Sequence, residues 1–175
     1  MKNLTPAEQR FVLHWGEMGT AWGINRTVAQ VHALLFLAKQ PLTAEEIQAR
    51  LVVARSNVSS SLKELQAWGL IRRVHVLGDR RDHFESLKDV YEMFRLIVEE
   101  RKKREMDPTL HVLRECLAEA EGDRATDAHS RARLREMLGF FETTSGLYEQ
   151  VKAWPTTTLI KLAGMGDKLR RLVGL

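Results

Sequence analysis

The chain has 175 residues, 44% of them hydrophobic and 29% charged, with 4 prolines and 11 glycines; it suits one folded subunit with a helical arm, not a disordered or collagen-like chain. A single cysteine, Cys116, excludes an intramolecular disulfide and a cysteine-built zinc cage, and with no leader-like start and no run of ~18 apolar residues the expectation is a cytoplasmic protein without a membrane partner. The formal net charge is +4, and from Arg50 to His83 seven basic residues stand against three acidic ones, so this one stretch carries the whole excess, as a phosphate-binding footprint does.

Thr5-Pro6-Ala7-Glu8 reads as a capping box with proline at the first helical position, and Phe11, Val12, Trp15 and Met18 give the helix one apolar face. Gly19 to Gly23 reads as a break. A second helix is expected from Arg26 to Ala38, with Val28, Val31, Leu34, Leu35 and Leu37 mostly inward, ended by Gln40-Pro41-Leu42. Thr43-Ala44-Glu45-Glu46 is another capping box, opening a short helix with Ile47 and Leu51 inward. After a turn over Val52 to Arg55, Ser56 is expected to cap a helix reaching Trp68, with Gly69 as a left-handed stop. Two short helices joined by about four residues make a helix-turn-helix. The period then switches to alternation over Leu70 to Leu77, turns at Gly78-Asp79-Arg80-Arg81 and returns over Asp82 to Ser86, a hairpin that forms a wing.

Beyond Lys88 the pattern is helical again. Leu87, Val90, Tyr91, Phe94, Ile97 and Val98 form one stripe. Asp107-Pro108 reads as a cap and first-turn proline where the helix kinks or restarts, and Leu110, Leu113 and Leu117 continue it. Gly122 to Asp127 is a polar break. Leu134, Met137, Leu138, Phe141, Tyr148 and Val151 mark another helix, Pro155 interrupts, and Leu159 to Val173 suit a last one. The expected class is mainly α with a small β-hairpin wing: residues 1–23 an N-terminal helix joining a dimer body, 24–87 a winged helix-turn-helix, 88–175 a helical dimerisation and effector region. Two-sided apolar content after Lys88 exceeds what one winged module covers, which points to a homodimer.

On a wheel centred at Val58, Leu62 and Leu65 fall within about 40° at about 100° per residue and face the core. Ser56, Ser60 and Lys63 lie opposite, Asn57 toward one edge, and Ser59 belongs to the same polar run. Small polar residues at the start of a helix let it approach base edges, where Asn bonds adenine and Lys or Arg bonds guanine or phosphate. Arg55, just before this helix, suits either role. Arg80 and Arg81 at the expected hairpin tip, with Arg72 and Arg73 on the ribbon, suit a minor groove or its phosphates, and Asp79 is spaced to hold Arg81 in a bidentate pair. Double-stranded DNA is therefore the expected partner.

This order of elements resembles the MarR superfamily of winged-helix regulators. Pro41-Leu42-Thr43, Glu46-Ile47, Ser56-Asn57-Val58-Ser59, Leu62-Lys63-Glu64-Leu65, Trp68-Gly69-Leu70-Ile71 and Gly78-Asp79-Arg80-Arg81 are similar to the GbsR branch. A Gly-Arg pair common early in that branch's second helix is replaced by Ala29-Gln30. The resemblance implies a dimeric bacterial transcription regulator, usually a repressor, with two recognition helices in successive major grooves of a palindromic operator and wings in the flanking minor grooves. It also implies effectors bound between the helical region and the winged module, with choline sensed by some members.

No nucleotide-binding, nucleophile-elbow or zinc-protease motif is present, and the six histidines, at 14, 32, 75, 83, 111 and 129, lack ligand spacing. No catalytic residue, metal or cofactor is expected. Trp15, Trp22 and Trp68 are candidates for a ligand pocket taking a quaternary amine or an aromatic effector. An alternative for the whole chain is a winged-helix protein-interaction module without specific DNA binding. Lys161, Lys168, Arg170 and Arg171 against Asp167 read as a dimer arm, with a membrane-surface helix as the alternative.

Overall fold

The computed structural model describes residues 3–166. The chain divides into two compact units, Met1–Leu96 and Ile97–Leu175. It is mainly helical with one small antiparallel sheet, and among the described residues no helix is long and apolar enough to cross a membrane.

Helix α1 spans Pro6–Ala21. Thr5 Oγ1 accepts from the Glu8 amide at 3.3 Å and Glu8 returns the contact to the Thr5 amide at 2.7 Å, the expected capping box. The break expected over Gly19 to Gly23 begins only at Trp22: α1 runs two residues past Gly19, and Gly23 stands at φ +74°. Gly16 and Gly19 are buried where α1 meets α2, Arg26–Leu37. A Cβ built on Gly19 would lie 2.6 Å from Ala29 Cβ, and one on Gly16 2.7 Å from Gln30 Cγ. These glycines set the distance between two helices; they do not end one. Gly19→Val is therefore expected to cost about 2 kcal/mol through forced separation of α1 from α2. A lowered urea midpoint at unchanged m-value checks this, and an unchanged midpoint would show that the contact carries no stability.

Helix α2 is buried without a gap from Val28 to Leu35, the pattern of a helix wrapped on all sides. Its last carbonyls, those of Leu35, Phe36 and Ala38, all accept from Lys88 Nζ at 2.7–3.0 Å. A cation at a helix C-terminus meets both the dipole and the orphan carbonyls. The sheet has order β1-β3-β2, from β1 Leu42–Thr43, β2 Ile71–Val76 and β3 Asp79–Ser86. Strand β1 was not expected; two residues are too few for a period, and only pairing of Leu42 with Phe84 and Thr43 with His83 reveals it.

Helix α3, Ala44–Leu51, starts at the Thr43–Glu46 capping box. The turn after it places Val52 in the left-handed region, at φ 59° and ψ 49°, rare for a β-branched residue. Helix α4 is Arg55–Ala67. Its N-cap is Ala54, without a side-chain bond, so Ser56 sits inside the first turn and is not the cap expected from its residue type. The hairpin turn is also displaced. It falls at Leu77-Gly78, with Gly78 at φ +85°, and Asp79, Arg80 and Arg81 belong to the returning strand. Gly69, at φ +72°, ends α4 as expected. The first unit closes at the start of α5, Val90–Arg101, where Met93 is buried. It thus holds α1 together with the winged module.

In the second unit a π-helical turn, Lys102–Met106, leads into α6, Asp107–Gly122. Met106 and Asp107 keep right-handed helical dihedrals, so Asp107 does not cap, but the change from π-turn to α-helix falls at the expected Asp107-Pro108 position. The wider turn accommodates the amide that Pro108 lacks. Helix α7, Ala128–Lys152, is capped by Asp127 and bridged to α6 by the Arg114–Glu142 and Arg135–Glu121 pairs. Helix α8 is Thr156–Gly164, starting earlier than expected; the segment from Asp167 to Val173, with Lys168, Arg170 and Arg171, lies outside the described residues. Ala120 is the one buried residue among those described in this unit, while Val112, Met137, Phe140 and Leu147 are exposed.

Candidate nucleic-acid interface

Helix α4 buries Val58, Ser61, Leu62 and Leu65. This anchors its opposite face outward: Arg55, Ser56, Asn57, Ser59, Ser60 and Lys63 are all exposed. The wheel places Ser56, Ser60 and Lys63 on this face and Asn57 at its edge; Arg55, expected just before the helix, is its first residue. The first amides of α4 receive no side-chain cap, so they remain donors at the positive end of the helix dipole.

A groove of about 460 Å³ runs between α4 and the β2–β3 ribbon. Arg55, Ser59, Lys63 and Gln66 line it from α4, Arg73, Arg81 and Asp82 from the ribbon, and Glu45 from α3. Gln66 was missed by the sequence reading, although it lies three residues after Lys63 and seven after Ser59, on the same stripe.

The four ribbon arginines are not equivalent. Arg72 is bonded to Glu85, and Arg73 Nη1 reaches Asp82 Oδ2 at 3.2 Å. Both pairs cross from β2 to β3. Arg81 is held by Asp79 through Nε at 3.0 Å and through Nη2, and its amide donates to Asp79 Oδ1 at 3.0 Å. This hydrogen bonding holds the Asp79 carboxyl well below the usual carboxylate range. The bidentate pair anticipated from spacing is therefore present, at the base of the turn and not at its tip. Beneath it, buried His83 places Nδ1 3.0 Å from the Arg81 carbonyl and Nε2 3.5 Å from Asp79 Oδ2. Nothing in the spacing of the histidines marked His83; its partners come from the strand pleat. Arg55, Lys63 and Arg80 have no ion pair among the described residues, which leaves three cations available to an outside anion.

The three candidate tryptophans do not converge. Trp22 is exposed at the end of α1 and Trp68 half-buried at the end of α4. Trp15 lines a cavity of about 180 Å³, with Phe11, His32, Ala33, Phe36, Val90 and Met93. Trp15 and His32 rings lie 6.5 Å apart. His32 Nε2 is buried and has no hydrogen-bond partner among the described residues. Burial, with the Lys88 charge adding to it, lowers this imidazole to about 4. Among the described residues no group of three or more His, Cys, Asp or Glu side chains suits a metal ion.

Residues 22–82 match the MarR family. YvaV of Bacillus subtilis (strain 168), named as an HTH-type transcriptional regulator, is 25% identical over 88 residues, which span half of this chain and half the length of that relative. A crystal structure described as that of a transcriptional regulator has a TM-score of 0.64 at 21% identity, covering 84% of this chain and 96% of the other. That second likeness is one of fold.

Proposed function

We infer, from the MarR-family winged helix-turn-helix module that residues 22–82 form, that this chain is a sequence-specific DNA-binding transcription regulator. It is a repressor of the GbsR-like branch that occupies a palindromic operator as a homodimer. The observation that carries this reading is the shared groove: Ser59, Gln66 and the unpaired Arg55 and Lys63 line it opposite the ribbon, while Ser56, Asn57 and Ser60 stand exposed on the same helix. A protein-interaction face would instead present acidic or large apolar residues at these exposed positions.

Helix α4 enters a major groove by its N-terminal end, where Asn57 and Ser60 read base edges. Its uncapped first amides and Arg55 take the phosphates beside them. The ribbon crosses the backbone, and occupancy of the operator keeps polymerase away. The second copy is called for by the second unit, where α6 and α7 leave Val112, Met137, Phe140 and Leu147 uncovered.

A small effector is a second part of the proposal, favoured by the cavity at His32. Its walls are apolar and its one unsatisfied atom is Nε2. Lys88 acts on His32 as a positive charge, which disfavours a quaternary amine there and favours a neutral aromatic molecule carrying one hydrogen-bond donor.

The test is selection of duplexes from a random-sequence pool, followed by titration of the selected and a scrambled duplex across a salt series. Expected are preference for the selected duplex, a steep fall of log K with log salt, and two chains per duplex in sedimentation. Asn57→Ala and Ser60→Ala should each alter the preferred sequence, with about 1–3 kcal/mol of discrimination lost per good base contact. Equal binding to both duplexes overturns the reading.

A further inference from the structure

Among the described residues the most exposed large apolar side chain sits at the wing turn. It is Leu77, fully exposed at 104% relative accessibility, with Val76 beside it 39% exposed. We propose that Leu77 is a wedge that enters the minor groove next to the α4 site and partly unstacks a base step. This rests on the DNA-binding reading above.

A lone exposed leucine is ordinary on a protein surface. The surroundings of Leu77 are not. The turn demands a residue at positive φ only at Gly78 and asks nothing apolar of the position before it, where polar residues are usual. No fold constraint therefore accounts for the leucine. Pairing of Val76 with Asp79 is intact, while an irregularity between Val74 and Val76 lies just behind it, and such bulges twist and re-aim a ribbon.

Charge complementarity names the occupant. Arg72, Arg73 and Arg81 are already engaged by Glu85, Asp82 and Asp79. Arg80, two residues beyond the turn pair, has no ion pair among the described residues. The tip therefore offers an apolar point with one free cation behind it. Minor-groove proteins combine those two elements, a basic residue for the narrow, electronegative groove and an apolar side chain between base pairs, kinking the duplex by about 20–90°. The position fits as well. Arg73 lines the groove shared with α4, and Leu77 stands four residues further along, about 13 Å at ~3.3 Å per residue. With α4 in a major groove, that reach carries the tip over the backbone.

The probe is the duplex selected by the full-length wild-type chain, labelled at its ends for energy transfer and carrying 2-aminopurine at successive steps beside the contacted major groove. Wild type is expected to shorten the end-to-end distance and to brighten one 2-aminopurine step. Leu77→Ala should lose both signals and about tenfold in affinity, with the slope of log K against log salt unchanged, because no phosphate contact is removed. Leu77→Lys should also lose both signals while steepening the slope. If Leu77→Ala keeps the bend and the bright step, or if wild type binds its selected duplex without bending it, the wedge is wrong and the DNA-binding reading stands. A change confined to self-association of Leu77→Ala would assign the tip to a second copy and overturn the wedge. If wild type selects no duplex at all, both readings fall together.

Discussion

Replacing Arg55 and Lys63 together by alanine is expected to lower affinity for every DNA duplex by about a hundredfold or more, and to flatten the salt slope by about two. Both side chains are exposed on α4, line the groove facing the ribbon, and have no ion pair among the described residues. Their loss strands no internal partner, so thermal stability should stay within about 0.5 kcal/mol of wild type. Each charge-assisted contact to phosphate is worth about 1.5–3 kcal/mol, and each phosphate released contributes about 0.9 to the slope. Sequence preference should survive, because Asn57 and Ser60 are untouched. Fluorescence anisotropy from low to physiological salt measures both quantities. Wild-type affinity with wild-type slope in the double variant would show that the backbone does not follow this groove.

Native stability should fall by about 3 kcal/mol between pH 6.5 and pH 4 on account of His32 alone. Its imidazole, lowered to about 4 chiefly by burial, stays neutral in the folded chain across that window. The unfolded chain binds the proton from about 6.5 downward. Protons therefore favour the unfolded state as pH falls, and the loss is complete once pH drops below the folded value. His32→Phe keeps the ring volume and removes the titration, so its stability profile should be flatter than wild type over this window. The Asp79 carboxyl also titrates, but Arg81 holds it low, and it is common to both proteins. Urea unfolding at several pH values gives the difference. Parallel profiles would mean that His32 is not held neutral in the native state. The same melts carry the effector reading: an apolar cavity of about 150 Å³ takes benzene, and the 180 Å³ space beside Nε2 should take phenol. Phenol should raise the wild-type melting temperature and choline should not.

Much of the first unit is legible because its signals are local. The Thr5–Glu8 and Thr43–Glu46 boxes are bonds between residues three apart, and both form as read. Val58, Leu62 and Leu65 share a face by helical period alone, and that same period sends Asn57, Ser60 and Lys63 outward. The hairpin follows from alternation on either side of a glycine. Gly19 shows where local reading stops: a glycine tolerates both a helix end and a helix crossing, and only Ala29 at the crossing tells them apart. Strand β1 depends on pairing with β3 across some forty residues, and the position of the wing turn on the register of β2 against β3.

The candidate interface divides in the same way. Residue type and spacing placed the polar and basic groups on α4 and the ribbon, and set Arg81 beside Asp79. Which cations are free is a different matter. Arg72 and Arg73 lose their independence to Glu85 and Asp82 because register, not sequence distance, brings those charges together. The cavity at His32 likewise needs α1, α2 and the start of α5 at once, and its imidazole is neutral because of what surrounds it. Short-range capping, helical period and alternation are properties of neighbours along the chain, so they can be read from the chain. Burial, cross-strand charge pairing and helix separation depend on residues far apart in sequence, and those only the packed structure decides.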